Sequence, residues 1–481
     1  MKKILTLTLL LCTPFSLAAD DMADAVEQSV NGAATHYSDM AKQIWNWAEV
    51  GYQETKSTAL LQKELRDAGF TISSGVAGIP TAFVAEYGSG KPVIGLLAEF
   101  DALPGVSQQA LPERIAVEGG TAGHACGHHL FGVASTAAAI AARDWLKATG
   151  NRGTVRLYGT PAEEGGSGKV YMVRAGLFDD VDTVIHWHPS DGNGSPPGTT
   201  LANRSAKFRF RGIASHAAVA PERGRSALDG VEAMNMMVNM LREHVTTDSR
   251  IHYVITAGGT APNVVPEFAE VFYYVRAPSP DLVMGNWARI EDAARGAALG
   301  TGTTVEWEII HGNYNILPNV TLARIMDSSL RHYGGIEYNR QEQRFAEELV
   351  SNFETPPRRQ LGSEREIDEF SEEIYQGKGS SDVGDVSWMA PTVGVRTATW
   401  VPGTSAHTWQ AVAGGGTSIG DKGMLLAAKS MGLTAVKLFD KPELIEAASS
   451  EWQELRGDDF NYQPLLGDRD PPLDYRLEPH P

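Results

Sequence analysis

Apolar residues recur at helical spacing through residues 22–70, with a break near Gly51. The spacing then shortens. "TAFVAEYG" and "PVIGLLAEF", joined by "GSGK", predict two strands. "VASTAAAIAARDWLKATG" predicts a helix whose small residues suit close packing on a sheet. "GTVRLYGTPAEEGG" predicts a strand running into a polar loop, and "DTVIHWHPS" a short strand broken at Pro189.

From about Asn203 the pattern changes. "RSAKFRFRG" alternates apolar and polar positions. A helix (Arg225 to His244), two strands ("RIHYVITAGG" and "FAEVFYYVRAP"), a second helix (Pro280 to Ala297) and a last strand ("TTVEWEIIHG") follow. That βαββαβ order is the split-βαβ, ferredoxin-like arrangement, in a unit of about 110 residues that suits a small domain. Mixed α/β patterning then resumes. The expected fold class is therefore α/β, with a discontinuous large domain (residues 19–203 and 315–455) interrupted by a smaller one (204–314). Residues 354–378, which are dense in charge, and the Pro- and Asp-rich tail at 456–481 are expected to be solvated.

Composition changes this picture in three ways. The chain of 481 residues is 42% apolar and 21% charged, which fits a globular protein of more than one domain. Its start, "MKKILTLTLLLCTPFSLAAD", has two lysines, a short apolar run and a small-residue site, so residues 1–18 are expected to be a secretory signal peptide and the mature protein periplasmic. Loss of Lys2 and Lys3 with that leader takes the formal net charge from −18 to −20. Such a surface argues against nucleic acid as a partner, and no other segment is long and apolar enough for membrane insertion. Cys12 leaves with the leader, so Cys126 has no cysteine to pair with. A free thiol in an oxidising compartment is explained by burial or by metal ligation.

Cys126 lies in "GHACGHHLFG". Cys126 and His128 are two residues apart and do not share a helix face, so they converge on one ion only in a loop or at a helix entry. Thiolate and imidazole suit borderline divalent metals. "TPAEEGG" places Glu163 and Glu164 on opposite sides of an extended chain. One would face a metal and the other a water, as general base. An exposed acidic turn is the competing reading. "VIHWHP" carries His186 and His188, "PGTSAHTW" carries His407, and "GIASHAA" carries His216. Taken singly, each fits an ordinary surface or core histidine.

Together, "HACGH", "PAEEGG", "IHWHP", "GIASHAA", "GGTAPNVVPE" and "SAHTW", in this order, resemble the di-metal aminoacylase and carboxypeptidase family. The branch is that of amidohydrolases with "HACGH", which includes hippurate and auxin-conjugate hydrolases. "EFDALPG", "GKVYMVRAG" and "GSSDVGDVSW" make the chain most similar to the B-subunit type of p-aminobenzoyl-glutamate hydrolases. The resemblance implies a di-zinc-peptidase-like catalytic domain and an inserted lid and dimerisation domain. It implies two divalent ions (Zn, Mn or Co) held by Cys126, His128, Glu164, His186 and His407, with Cys126 as the bridge. Glu163 would be the general base, and Asp101 would support the metal site. His216 would reach the partner subunit's site to stabilise an oxyanion, and Asn263 and Arg276 would bind substrate. Glu99, His129 and His188 are left without an assigned role. The implied reaction is hydrolysis of an N-acyl or N-aroyl amino acid such as p-aminobenzoyl-glutamate, by a homodimer or by a complex with a related A-type partner. A dipeptidase or broad aminoacylase is the alternative enzyme, and a periplasmic metal or solute binder the non-enzyme alternative.

Overall fold

The computed structural model describes residues 19–477. The expected leader, residues 1–18, lies outside them. The larger of two main sheets has six strands, in the spatial order Thr71–Ser74, Phe83–Ser89, Gly153–Gly159, Val93–Ala98, Thr183–Ser190 and Thr392–Ala398. The first two pairings are antiparallel and the other three parallel. Val93–Ala98 is buried at every position, as a central parallel strand covered on both faces must be.

On one face lie the helices His128–Thr149 and Ser418–Asp440, which contribute Ala134, Ala138, Ala427 and Met431 to a shared core. Small residues allow the close crossing: a Cβ on Gly432 would stand 3.5 Å from Ala141 Cβ. On the other face, Gly168–Arg174 and Val383–Ser387 contribute Val170, Val173, Val383 and Val386 to a second core. The predicted N-terminal helical region forms three helices, Ala19–Gly32, Ala34–Trp47 and Thr55–Asp67, with the break at Gly51 as expected.

The inserted unit forms its own antiparallel sheet, in the order Arg250–Ala257, Phe268–Ala277, Ala202–Arg211, Thr304–Asn313. Helices Ala227–Leu241 and Pro280–Thr301 pack on it through Phe208, Phe210, Val231, Tyr273 and Trp287. Ser226 and Ser279 cap them by accepting from Asp229 N and Leu282 N. No helix among the described residues is long and apolar enough to cross a membrane.

Two expectations need correction. The strand of "VIHWHP" is not broken at Pro189 but runs on to Ser190. Its neighbour Val93–Ala98 pairs with it only as far as Ile185, so Pro189 has no ladder partner on that side to deprive of an N–H. The charge-dense excursion is largely exposed, as expected, and rejoins the protein where Tyr375–Gln376 pairs with Gly198–Thr199. The tail, as far as Leu477, packs along the molecule instead of projecting into solvent, and Leu465 and Leu466 are buried.

The fold positions the chemistry through its parallel strands. At their carboxyl ends the chain carries Glu99 and Asp101, then Glu163 and Glu164, then His188, then His407. Open α/β sheets place their binding crevice along that edge.

Candidate metal centre

Gly127 explains how Cys126 and His128 converge. It caps the helix His128–Thr149 in a left-handed conformation (φ 76°), so the chain turns sharply between the two side chains. A Cβ there would meet Pro189 at 2.7 Å, so no other residue fits.

Two donor triads share the thiol. Cys126, His128 and His188 form one, and Cys126, Glu164 and His407 the other; within each triad all donor atoms lie within 4.8 Å of one another. Cys126 Sγ is 3.4 Å from His188 Nε2, and His407 Nε2 is 3.0 Å from Glu164 Oε1. The outward nitrogens are committed elsewhere. His128 Nδ1 donates to Asp101 Oδ1 (2.9 Å), and His188 Nδ1 donates to the Pro189 carbonyl (2.7 Å). With Nδ1 engaged, Nε2 of each ring is the atom aimed into the cluster, the usual device for orienting histidine ligands. Asp101 Oδ2 also accepts from Glu164 N (2.9 Å), so this one buried carboxylate fixes a residue of each triad. It acts through its neighbours and is a positioning residue.

The donors fit a divalent cation. Glu164 Oε1, His128 Nε2 and Glu99 Oε2 are buried without an aligned hydrogen-bond partner. Burial pushes the Cys126 thiol up, with Glu164 adding to the rise. Burial and neighbouring Glu99 raise the Glu163 carboxyl well above the usual range. Burial opposes charge on His128, but Cys126, Glu99 and Asp101 outweigh it and hold the imidazole well above its ordinary pKa. An acceptor-rich, desolvated cluster of this kind calls for positive charge.

His186 is not in either triad, and the structure places His188 there instead. Both rings point to the same side of the strand, but two residues advance the chain by roughly 6.6 Å, and only His188 reaches the edge where Cys126 lies. His186 sits deeper, in register with Gly394, whose missing Cβ makes room for the imidazole (it would stand 2.6 Å from the ring). Burial and Lys169 push His186 down to about 4, so it is neutral. The adjacent cavity of about 380 Å³ runs from Glu99 and His188 past His186 and Phe131 to Tyr375, Lys378 and Arg396.

Glu99 and Glu163 form a third group with His128. Glu99 Oε1 pairs with Lys169 Nζ (2.7 Å), and Lys169 pairs also with Asp382 (2.7 Å), all three buried. Burial works against the Lys169 ammonium, but Asp382 and Glu99 outweigh it and hold it charged. Nothing in "GKVYMVRAG" alone singles out Lys169; only the fold shows its buried pairing. His129, unexplained by the motif, donates from Nε2 to Gly415 O (2.9 Å) and packs beside His124 at 4.9 Å. Burial and His124 hold it neutral, and it belongs to the helix packing.

The residues of the inserted unit stand apart from the triads. His216 is exposed, and its Nδ1 accepts from Ala218 N and Val219 N. Asn263 lies on the adjoining loop, where its carbonyl accepts from Ala217 N (3.0 Å). Arg276, half-buried, lies over Tyr274 at 5.6 Å. The structure brings His216 and Asn263 together, but neither joins the metal donors.

A mixed α/β fold with this donor set defines a metal-binding hydrolase, and the chain belongs to peptidase family M20/M25/M40, which it matches over residues 95–355. It is 42% identical to the B-type component of p-aminobenzoyl-glutamate hydrolase from Escherichia coli K12, over 89% of this chain and 94% of that one. It is 30% identical to the Xaa-Arg dipeptidase of Mus musculus, over 89% and 91% of the two chains. A dinuclear metal-binding peptidase of family M20 from Bacillus subtilis shares the fold, with a TM-score of 0.57 and 18% identity over 85% of this chain and 99% of that one. The fold class and family read from the sequence are borne out.

Proposed function

We propose that this amidohydrolase binds two divalent ions, Zn²⁺ or Mn²⁺ with Co²⁺ as a further candidate, and cleaves the amide of N-acyl or N-aroyl amino acids, p-aminobenzoyl-glutamate foremost. The observation that carries this reading is the pair of donor triads meeting at Cys126. His188 takes the ligand position expected of His186. Bound ions would supply Lewis acidity toward the amide carbonyl and toward water. Glu163, beside both triads, takes a proton from the attacking water and returns it to the leaving amine. Asp101 holds His128 and Glu164 in place throughout.

The cavity favours an anionic amino acid over the arginine of a dipeptidase substrate. Its outer end carries Arg396, over Tyr375, and Lys378, and neither pairs with a carboxylate among the described residues. The decisive experiment is to quantify metals in the purified protein and assay acyl-glutamates, acyl-alanines and Xaa-Arg dipeptides with and without chelator. Acyl-glutamates are expected to be preferred, turnover to vanish with chelator, and Arg396→Ala to lower kcat/KM for glutamates about tenfold. Metal-independent turnover, or a preference for Xaa-Arg, would overturn the reading.

The inserted unit exposes Met236, Met237 and Met240 on one helix and Val254 and Ile255 on its edge strand. These support a homodimer in which His216 serves the partner subunit's site. Because the Escherichia coli relative is named as one component of a larger enzyme, a related A-type protein is the other candidate partner. Mixing the inactive variants Glu163→Gln and His216→Ala is then expected to restore about a quarter of wild-type activity, one intact site in each mixed dimer. No recovery would refute the shared site. Export to the periplasm rests on the leader pattern, and cell fractionation that finds the chain cytoplasmic would refute it.

A further inference from the structure

The C-terminal segment was expected to be a solvated tail, yet it crosses from the inserted unit to the metal-ligand loop. Arg469 donates to Ile309 O and, at 2.8 Å, to Ile310 O on the inserted unit's last strand. Arg174, from the catalytic unit, donates to Gly467 O (3.0 Å) and Arg469 O (2.8 Å). Gln53 Nε2 donates to Leu473 O at 2.7 Å. The segment then reaches Glu164: Tyr475 Oη donates to the Glu164 carbonyl at 2.9 Å, and Arg476 Nη2 donates to the same oxygen. Tyr475 packs edge-on against Tyr52, 5.6 Å between centroids, and Tyr52 Oη donates to Gly166 O at 2.5 Å. A Cβ on Gly51 would meet Tyr475 Oη at 2.4 Å, so the glycine that breaks the N-terminal helices also makes room for this strap.

These contacts fall on backbone that does not hold its own shape. Ala162 (φ 56°) and Ser167 (φ 61°) are left-handed, a conformation that costs free energy for residues with a Cβ. The surroundings must impose it. Glu164 is gripped on both sides of its Cα: its N–H by Asp101 from within, and its carbonyl by Tyr475 and Arg476 from the strap. The side chain between those two grips carries the donor atom Oε1.

We propose that Tyr475 and Arg476 are positioning residues for Glu164, so that the C-terminal strap is a working part of the metal centre. The inference rests on the reading of Glu164 as a metal donor. Charge and geometry predict opposite outcomes at Arg476. If its guanidinium acted only as a charge, removing it would tighten binding of a cation nearby; if it positions Glu164, removing it weakens binding.

The test uses the full chain with Arg476→Met, Arg476→Lys, Tyr475→Phe and a deletion of residues 474–481. Zn²⁺ alone is titrated against a competing chelator, and melting is followed without metal. Arg476→Met and the deletion are expected to weaken one of the two ions about tenfold or more, the usual effect of losing a group that orients a ligand. Tyr475→Phe should weaken it less, and Arg476→Lys should restore most of the affinity. Metal-free melting should be unchanged in Arg476→Met, and kcat should fall with KM nearly constant. Unchanged or tighter Zn²⁺ binding in folded Arg476→Met would overturn the proposal, as would an equal loss of metal-free stability. Failure of the underlying reading looks different: wild-type protein would bind no Zn²⁺, or Glu164→Gln would keep both ions at full affinity.

Discussion

Cys126→Ala is expected to lose both metal ions, because its sulfur belongs to both donor triads. No other side chain does. His128 and His188 serve one triad, and Glu164 and His407 the other. Turnover should fall by more than about a thousandfold, since the Lewis acidity that the reaction draws on goes with the ions. The fold should persist. Cys126 is buried, but replacing a thiol by hydrogen costs about 1 kcal/mol in a core that is otherwise intact. The diagnostic is the response to metal. The wild-type protein should melt at a higher temperature with Zn²⁺ than with chelator, because a ligand that binds only the folded state stabilises it. Cys126→Ala should melt at one temperature in both conditions. A variant that still bound two ions at wild-type affinity would contradict the shared-thiol arrangement.

Glu163→Gln is expected to do the opposite: keep the metals and lose the reaction. Glu163 lies beside the triads without belonging to either, grouping instead with Glu99 and His128. Glutamine preserves its size and a hydrogen-bonding oxygen but cannot carry the proton. The loss of kcat should be about 10² to 10⁴, the usual contribution of general acid–base catalysis. KM and metal content should change little. Wild-type kcat in this variant would remove Glu163 from the mechanism, and loss of metal would reassign it as a ligand.

Most of this architecture was legible in the sequence because periodicity reports burial. The all-buried strand Val93–Ala98 and the alternating strand Ala202–Arg211 each carry their environment in their own pattern. The position of a side chain along a strand is harder to read. His186 and His188 share a face, so alternation does not separate them; the distinction is set by where the neighbouring strand stops pairing, at Ile185. Lys169 was illegible for a related reason. A lone lysine in a helix reads as surface, and its burial between Glu99 and Asp382 depends on segments far apart in the chain. The tail misled because its proline and charge resemble a solvated segment, whereas its contacts are made largely by side chains reaching to and from its backbone carbonyls.

The two triads also differ in when they can be assembled. The donors of one, Cys126, His128 and His188, precede the inserted unit in the chain. The other needs His407, which lies beyond that unit and is held by its own N–H to the carbonyl of Ala125. A growing polypeptide therefore has every donor of the first triad long before it can complete the second. Only when the segment carrying His407 has docked against Ala125 can the shared thiol serve both.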